Sequence, residues 1–441
     1  MRVCVVGLGK VGLPLAVQIA SKGHTVVGAD INPPLVALVG EGRAPFPGEA
    51  ALDERLAATV RAGRLRATTD TTAATASSEA VVVVVPLVVD AGGRPDFRAL
   101  DAATEAIALG VSPGALVSYE TTLPVGTTRR RLAPMLAMGS GLALGETLFV
   151  CHSPERVLIG RVFADLRRYP KLVGATDPAS AKHAVSLYEA VLDFDPRPDL
   201  PRPNGVWDLG SAEAAELAKL AETTYRDVNI ALANEFARFA DTIGVDVHAV
   251  INAANSQPFS HIHSPGIAVG GHCIPVYPRL YLAGDPGARV PAAARAVNDT
   301  MPAYAVAQLA ARLGGLDGLR VAVLGAAYRG GVKETAFSGV FGVVTALGAA
   351  GARPLVHDPL FHDDELRALG LDPYHLGEPA DAAIIQADHD LYRHIGPHDL
   401  PGVRALLDGR AITSPDRWPA VVHVALGRPS PGDQAAPPHH S

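Results

Sequence analysis

The stretch of this 441-residue chain best equipped for chemistry is Gly270 to Pro278, GGHCIPVYP. Two glycines allow close backbone approach, a histidine and a cysteine follow, and Pro275 and Pro278 stiffen the exit. Cys273 is one of only three cysteines, and the other two, Cys4 and Cys151, lie in apolar strand-like runs. A thiol in such a loop is a nucleophile if a positive neighbour lowers its pKa. It is equally a small apolar group if it packs away from solvent. The loop alone leaves both readings open.

A second candidate is Glu155 in SPERVLIGR, followed at once by Arg156. It reads either as a site acid or as a solvated acid at a helix start after Pro154. Lysine is rare: of 38 Lys and Arg residues only Lys10, Lys22, Lys171, Lys182, Lys219 and Lys333 are lysine, so each one draws notice. Lys219, Thr223, Arg226 and Asn229 recur at three- and four-residue spacing and share one helical face. That stripe either meets solvent or lines a cleft.

The elements that position these groups begin at the N-terminus. An apolar strand, RVCVVG, runs into Gly7, Gly9 and Gly12 at GxGxxG spacing, then a helical run that stops at Gly23, then a strand that ends at Asp30. Strand, glycine turn, helix N-terminus and an acid about 20 residues on are the dinucleotide-binding arrangement. The acid favours NAD over NADP, because a 2′-phosphate would be repelled. Further buried-strand signals are AVVVVVP ending at Pro86, GALVSYETT ending at Thr121 and Thr122, and LFVCHSPE ending at Glu155. Functional groups belong at those ends.

Residues 193–208 are rich in Pro and Asp and read as a domain exit. A long helix is expected from Ser211 to Ile243, stopped by Gly244, and another from Pro291 to Gly314. A second α/β unit starts at RVAVLGAAY, with Tyr328 and Arg329 directly after its first strand, and the Pro-rich tail from Arg428 is expected to be disordered. The expected fold class is thus α/β: two Rossmann-like doubly wound domains joined by a long central helix and a helical region that forms either a connecting spine or a subunit interface. The expected domains are residues 1–200, 201–315 with the cysteine loop, and 316–427, followed by the tail 428–441. A net charge of −7 argues against nucleic acid, and three irregularly spaced cysteines argue against a disulfide framework or zinc site. No signal peptide or membrane span is visible, so a cytoplasmic protein without a metal is expected.

Taken together, SPERVLIGR, KLAETTYRDVNIALANEF, HSPG and GGHCIPV resemble the UDP-glucose/GDP-mannose 6-dehydrogenase family, nearest its UDP-N-acetylmannosamine branch, over roughly residues 1–426. The resemblance implies oxidation of the C6 alcohol of a UDP-hexose or UDP-N-acetylhexosamine to the acid by NAD, in a homodimer. It implies Cys273 as nucleophile, Lys219 as oxyanion stabiliser, Glu155 as activator of water, and Thr122 and Thr223 nearby. The cofactor would be held by Gly7, Gly9, Lys10, Val11, Gly12, Asp30, Pro86 and Thr122. The substrate would be held by Arg156, Val157, Leu158, Lys219, Thr223, Arg226, His263, Gly266, Gly270, Tyr277, Tyr328 and Arg329. The sequence departs from the family pattern at Tyr277 (Asp), Thr223 (Asn), Phe259 (Arg), Gln257 (His), Leu87 (Thr) and Ala336 (Arg). Loss of those polar partners opens two alternatives, an oxidation that stops at the aldehyde and a nucleotide-sugar binder without turnover.

Overall fold

The computed structural model describes residues 1–90 and 93–429, and most of the tail read as disordered lies outside them. The chain divides into two compact units. One comprises Met1–Glu222 with Arg279–Pro286, the other Thr223–Pro278 with the chain from Gly287 onward.

The first unit is built on an eight-stranded sheet. Its order is Val206–Asp208, Lys171–Ala175, Leu148–His152, Ala115–Tyr119, Ala80–Val83, Arg2–Val6, Thr25–Ala29 and Leu65–Thr68. The six strands from Leu65–Thr68 to Leu148–His152 are all parallel and follow the doubly wound 3-2-1-4-5-6 order. Only the Leu148–His152/Lys171–Ala175 pair is antiparallel. The central strands are buried on both faces, which is why they read as unbroken Val/Ala/Leu runs. The strand order reverses between Arg2–Val6 and Ala80–Val83, so the crevice at their carboxyl ends is the place for a ligand.

The Pro/Asp-rich segment 193–208 does not simply leave the domain, because its last three residues, Val206–Asp208, form the edge strand of this sheet. The long helix runs Ala212–Ile243, with Ser211 Oγ accepting from Ala214 N at 3.2 Å. This is the expected helix, and Ser211 caps it.

The second unit carries a five-stranded, all-parallel sheet ordered Arg353–His357, Arg320–Leu324, Ala382–Ile385, Ala405–Asp408 and Val422–Ala425. This is the 2-1-3-4-5 doubly wound order. Its reversal point falls between Arg320–Leu324 and Ala382–Ile385. The helix Arg289–Leu313 contains Pro302 and packs its buried face, including Met301, Ala305 and Leu309, into this unit's core. Among the described residues no helix is long and apolar enough to cross a membrane.

Candidate active site

The glycines of the first turn are required by contacts. Gly7 sits at φ 92°, and a Cβ there would lie 2.9 Å from the Val84 carbonyl oxygen. A Cβ on Gly12 would fall 1.9 Å from the Gly7 carbonyl oxygen, so helix and strand close on each other only without a side chain. Gly9 has nothing within 4 Å and leaves its backbone open to a ligand. The helix Gly12–Ser21 begins after Lys10, with Val11 at the N-cap and no side-chain cap, so its first-turn N–H groups can receive a pyrophosphate. Asp30 accepts Leu8 N at 2.8 Å through Oδ2 and Asn32 N at 2.9 Å through Oδ1. Each oxygen keeps a lone pair for a ribose hydroxyl. The cradle fits NAD.

Around this crevice, Pro86 is exposed and Thr122 buried. Thr121 Oγ1 donates to the Val85 carbonyl at 2.6 Å, which ties the two strand-end loops together. A residue the sequence did not flag secures the next turn. Glu216, fully buried on the long helix, accepts Thr128 N at 2.8 Å, Thr128 Oγ1 at 2.7 Å and Gly126 N at 2.5 Å. Glu216 stands one helical turn before Lys219, which is buried on the same helix. The stripe read as either solvated or cleft-lining is mixed: Lys219 and Thr223 are buried, Arg226 exposed.

Glu155 is no solvated helix-start acid. Its Oε1 accepts Arg156 N at 2.6 Å and Val157 N at 3.2 Å, and its Oε2 accepts Lys171 Nζ at 3.0 Å. Lys171, itself buried, also lies 2.9 Å from Oε2 of Glu120, whose Oε1 accepts the Tyr188 hydroxyl at 2.6 Å. Burial raises Glu155, but Lys171 and the bonds from Glu120 and Arg156 outweigh it and hold the carboxyl below its ordinary pKa. Glu120 is pushed the other way, raised by burial against the pull of Lys171. His152, at the end of the adjoining strand, is held neutral, its pKa pushed down to about 3 by burial and by Lys171. Arg156 turns to Glu222, Nε to Oε2 at 3.0 Å, while Leu158 N donates to Asp165 at 3.0 Å and the Leu158 side chain is exposed.

In the second unit, Cys273 is exposed, whereas Cys4 and Cys151 are buried with thiols pushed up to about 12 by desolvation. The Cys273 carbonyl accepts Tyr277 N at 2.9 Å, and Tyr277 opens the helix Tyr277–Gly284. The two loop glycines again answer to contacts. A Cβ on Gly270 would meet Tyr328 Cβ at 2.6 Å, and one on Gly271, at φ 90°, would press on the Tyr328 ring at 3.1 Å. Gly271 N donates to the Ala336 carbonyl at 3.0 Å, Tyr328 N to the Glu334 carbonyl at 3.0 Å, and His272 Nε2 lies 3.7 Å from Glu334. The cysteine loop and the Tyr328–Arg329 turn are therefore one knitted piece.

Two arginines that the sequence did not single out, half-buried Arg410 and buried Arg295, support this piece. Arg410 donates to the carbonyls of Gln386 at 2.6 Å and Tyr328 at 3.3 Å, and burial lowers its pKa. Arg295 reaches the Ile274 carbonyl at 3.4 Å and pairs with buried Asp227 at 3.4 Å. Farther along, His263 N donates to Asn229 at 2.9 Å, and Gly266 N to buried Asn234 at 3.0 Å. Phe259 is 91% exposed. Among the described residues no group of His, Cys, Asp and Glu could hold a metal ion.

Fold and cradle define an NAD-binding α/β protein that carries a second doubly wound sheet. The UDP-glucose/GDP-mannose dehydrogenase family is matched three times in order, by its NAD binding domain over residues 1–192, its central domain over 213–300 and its UDP binding domain over 322–415. The chain belongs to that family and is a nucleotide-sugar dehydrogenase. It is 35% identical over 428 residues to a UDP-N-acetyl-D-mannosamine dehydrogenase of Pyrococcus horikoshii, covering 93% of this chain and 96% of that one. It is 33% identical over 432 residues to an NDP-N-acetyl-D-galactosaminuronic acid dehydrogenase of Ralstonia solanacearum, covering 95% and 97%. Among solved structures, a UDP-D-ManNAc dehydrogenase from Pyrococcus horikoshii superposes with a TM-score of 0.86 at 32% identity, over 97% of this chain and 99% of the other.

Proposed function

We propose that the protein oxidises the C6 alcohol of a UDP-N-acetylhexosamine to the carboxylate through a thioester on Cys273. The observation that carries this reading is the exposed thiol on a loop built into the Tyr328–Arg329 turn, so that a nucleotide held at the turn fixes the register of the sugar against the sulfur. NAD+ held by the Gly7–Gly12 turn and Asp30 would supply the hydride acceptor for two successive oxidations, each consuming one NAD+, and these leave first the aldehyde and then the thioester. In this scheme Cys273 Sγ adds to the aldehyde carbon after the first oxidation, and Lys219 stabilises the oxyanions with its charge. Glu155, kept ionised by Lys171 and two backbone N–H groups, takes a proton from the water that hydrolyses the thioester. Thr122 and Thr223 supply hydroxyls. Arg156, Val157, Leu158, Arg226, His263, Gly266, Gly270, Tyr277, Tyr328 and Arg329 hold the substrate. Residues 1–200 serve the cofactor, 201–315 the thiol and 316–427 the nucleotide.

The same reading includes a homodimer. Tyr225, Leu232, Phe236, Phe239 and Ile243 recur at heptad spacing on one face of the long helix, and all are exposed, Phe239 to 63%. A second copy of this helix is the occupant that the spacing fits.

The test is a panel of nucleotide sugars with NAD+, followed by NADH absorbance. UDP-N-acetylmannosamine or its galacto counterpart should turn over fastest. Folded, NAD-binding protein that oxidises none of them would overturn the proposal.

A further inference from the structure

The group of charges behind Glu155 is larger than a base needs. Glu120 directly follows the strand Ala115–Tyr119 with its side chain buried, and its carbonyl accepts Glu155 N at 3.2 Å. Its Oε1 takes the Tyr188 hydroxyl, which also contacts Ser118 Oγ at 2.7 Å. Its Oε2 faces Lys171 Nζ at 2.9 Å but off the hydrogen-bond axis, so that buried oxygen lacks an aligned donor. Lys171 reaches Glu155 Oε2 at 3.0 Å with one ammonium hydrogen and lies 4.8 Å from the centre of the Tyr188 ring. The remaining titratable neighbours are Cys151, whose thiol burial keeps protonated, and neutral His152, which Lys219 also influences. Two carboxyl groups, Glu120 buried and Glu155 partly so, thus share one ammonium. With both ionised the cluster holds a net negative charge, and one added proton neutralises it.

We propose that Glu120 is the proton store for Glu155. This rests on the reading of Glu155 as the base in thioester hydrolysis. As water attacks, its oxygen bonds to the thioester carbon, and the carbon–sulfur electron pair returns to Cys273 as thiolate. The water proton goes to Glu155 and moves on to Glu120. Glu155 is then ionised again and Lys171 stays paired. The raised proton affinity of Glu120 and the lowered one of Glu155, each partly a hydrogen-bond effect of the other carboxyl, set the direction of that transfer. Replacing Glu120 by Gln removes the store. Glu155 then pairs with Lys171 alone, and protonating it strands a buried ammonium.

The experiment follows NADH through burst and steady state across the pH range in which the protein stays folded. It uses NAD+ with UDP-N-acetylmannosamine and compares wild type, E120Q, Y188F and E155Q. E120Q should release two NADH per site in the burst and then turn over about tenfold or more slower, with the acid limb of kcat moved to lower pH. Y188F removes the hydroxyl that favours ionised Glu120 and should move the limb to higher pH. A purely packing role for Glu120 would lower stability without moving either limb. E120Q at the wild-type rate with an unmoved limb overturns the proposal, and if E120Q does not fold, an unmoved limb in Y188F does so. E155Q at full rate would instead remove the reading of Glu155 as base, whatever the other variants do.

Discussion

At the scale of single residues, three cysteines in one chain have opposite fates. Cys4 and Cys151 lie inside sheet strands, where desolvation keeps their thiols protonated, whereas Cys273 stands exposed in the loop before the helix Tyr277–Gly284. The thiolate is the reacting form, and burial denies it to Cys4 and Cys151. Native protein treated with iodoacetamide should therefore gain one carbamidomethyl group, at Cys273, and lose activity in step. Modification of Cys4 or Cys151 at a comparable rate would contradict the burial of those strands. Cys273 and Glu155 could be singled out from the sequence because each sits in a short run of unusual residues. Glu120, Lys171 and Tyr188 could not be assembled in that way. They are 51 and 17 residues apart along the chain and meet only because the strand Lys171–Ala175 adds to the sheet antiparallel, beside the end of Leu148–His152.

At the scale of elements, the loop after Pro124 is fastened to the long helix by one carboxyl. Burial raises Glu216 to about 7, against an ordinary value near 4.5, despite three hydrogen bonds that pull it down. The native state therefore binds this proton more tightly than the unfolded chain does. The stability that Glu216 contributes is full below the unfolded value and is lost as pH rises towards about 7. A gap of that size corresponds to at most about 3 kcal/mol. E216Q cannot ionise, so its melting temperature should fall less than that of wild type between acid and neutral pH, and equal falls in the two proteins would refute the assignment. The glycine turn, the first strand–helix–strand unit and the helix Ala212–Ile243 were all legible in the sequence, because period, caps and glycines agree there. Strand Leu65–Thr68 was not, with a polar-rich LRAT sequence, and Val206–Asp208 hides in a proline-rich segment because an edge strand needs only one bonded side. Glu216 escaped notice because a glutamate in the first turns of a helix is commonplace. Only the fold brings Gly126 and Thr128 to it.

At the scale of the whole molecule, the two sheets are variations on one plan, a parallel doubly wound layer with a glycine at positive φ after its first strand, Gly7 in one and Gly325 in the other. Each first turn is pinned by an acid at the end of the next strand. Asp30 accepts Leu8 N, and Asp358 accepts Ala326 N and Ala327 N. They differ in what is left over: Asp358 Oδ2 also takes His389 Nε2 at 3.1 Å and is buried, whereas Asp30 keeps capacity for a ribose. The exposed apolar stripe on the long helix makes a further prediction. F239E should convert a dimer to a monomer in sedimentation equilibrium while the fold survives, because Phe239 touches solvent rather than core. Wild-type protein that sediments as a monomer would contradict the proposed pairing.

The central claim, a sugar alcohol carried to a carboxylate by way of Cys273, is tested most directly by counting NADH released per UDP-N-acetylmannosamine consumed. The account predicts two in the wild type and no acid product from C273A. One NADH per sugar, or two from the C273A protein, would contradict it.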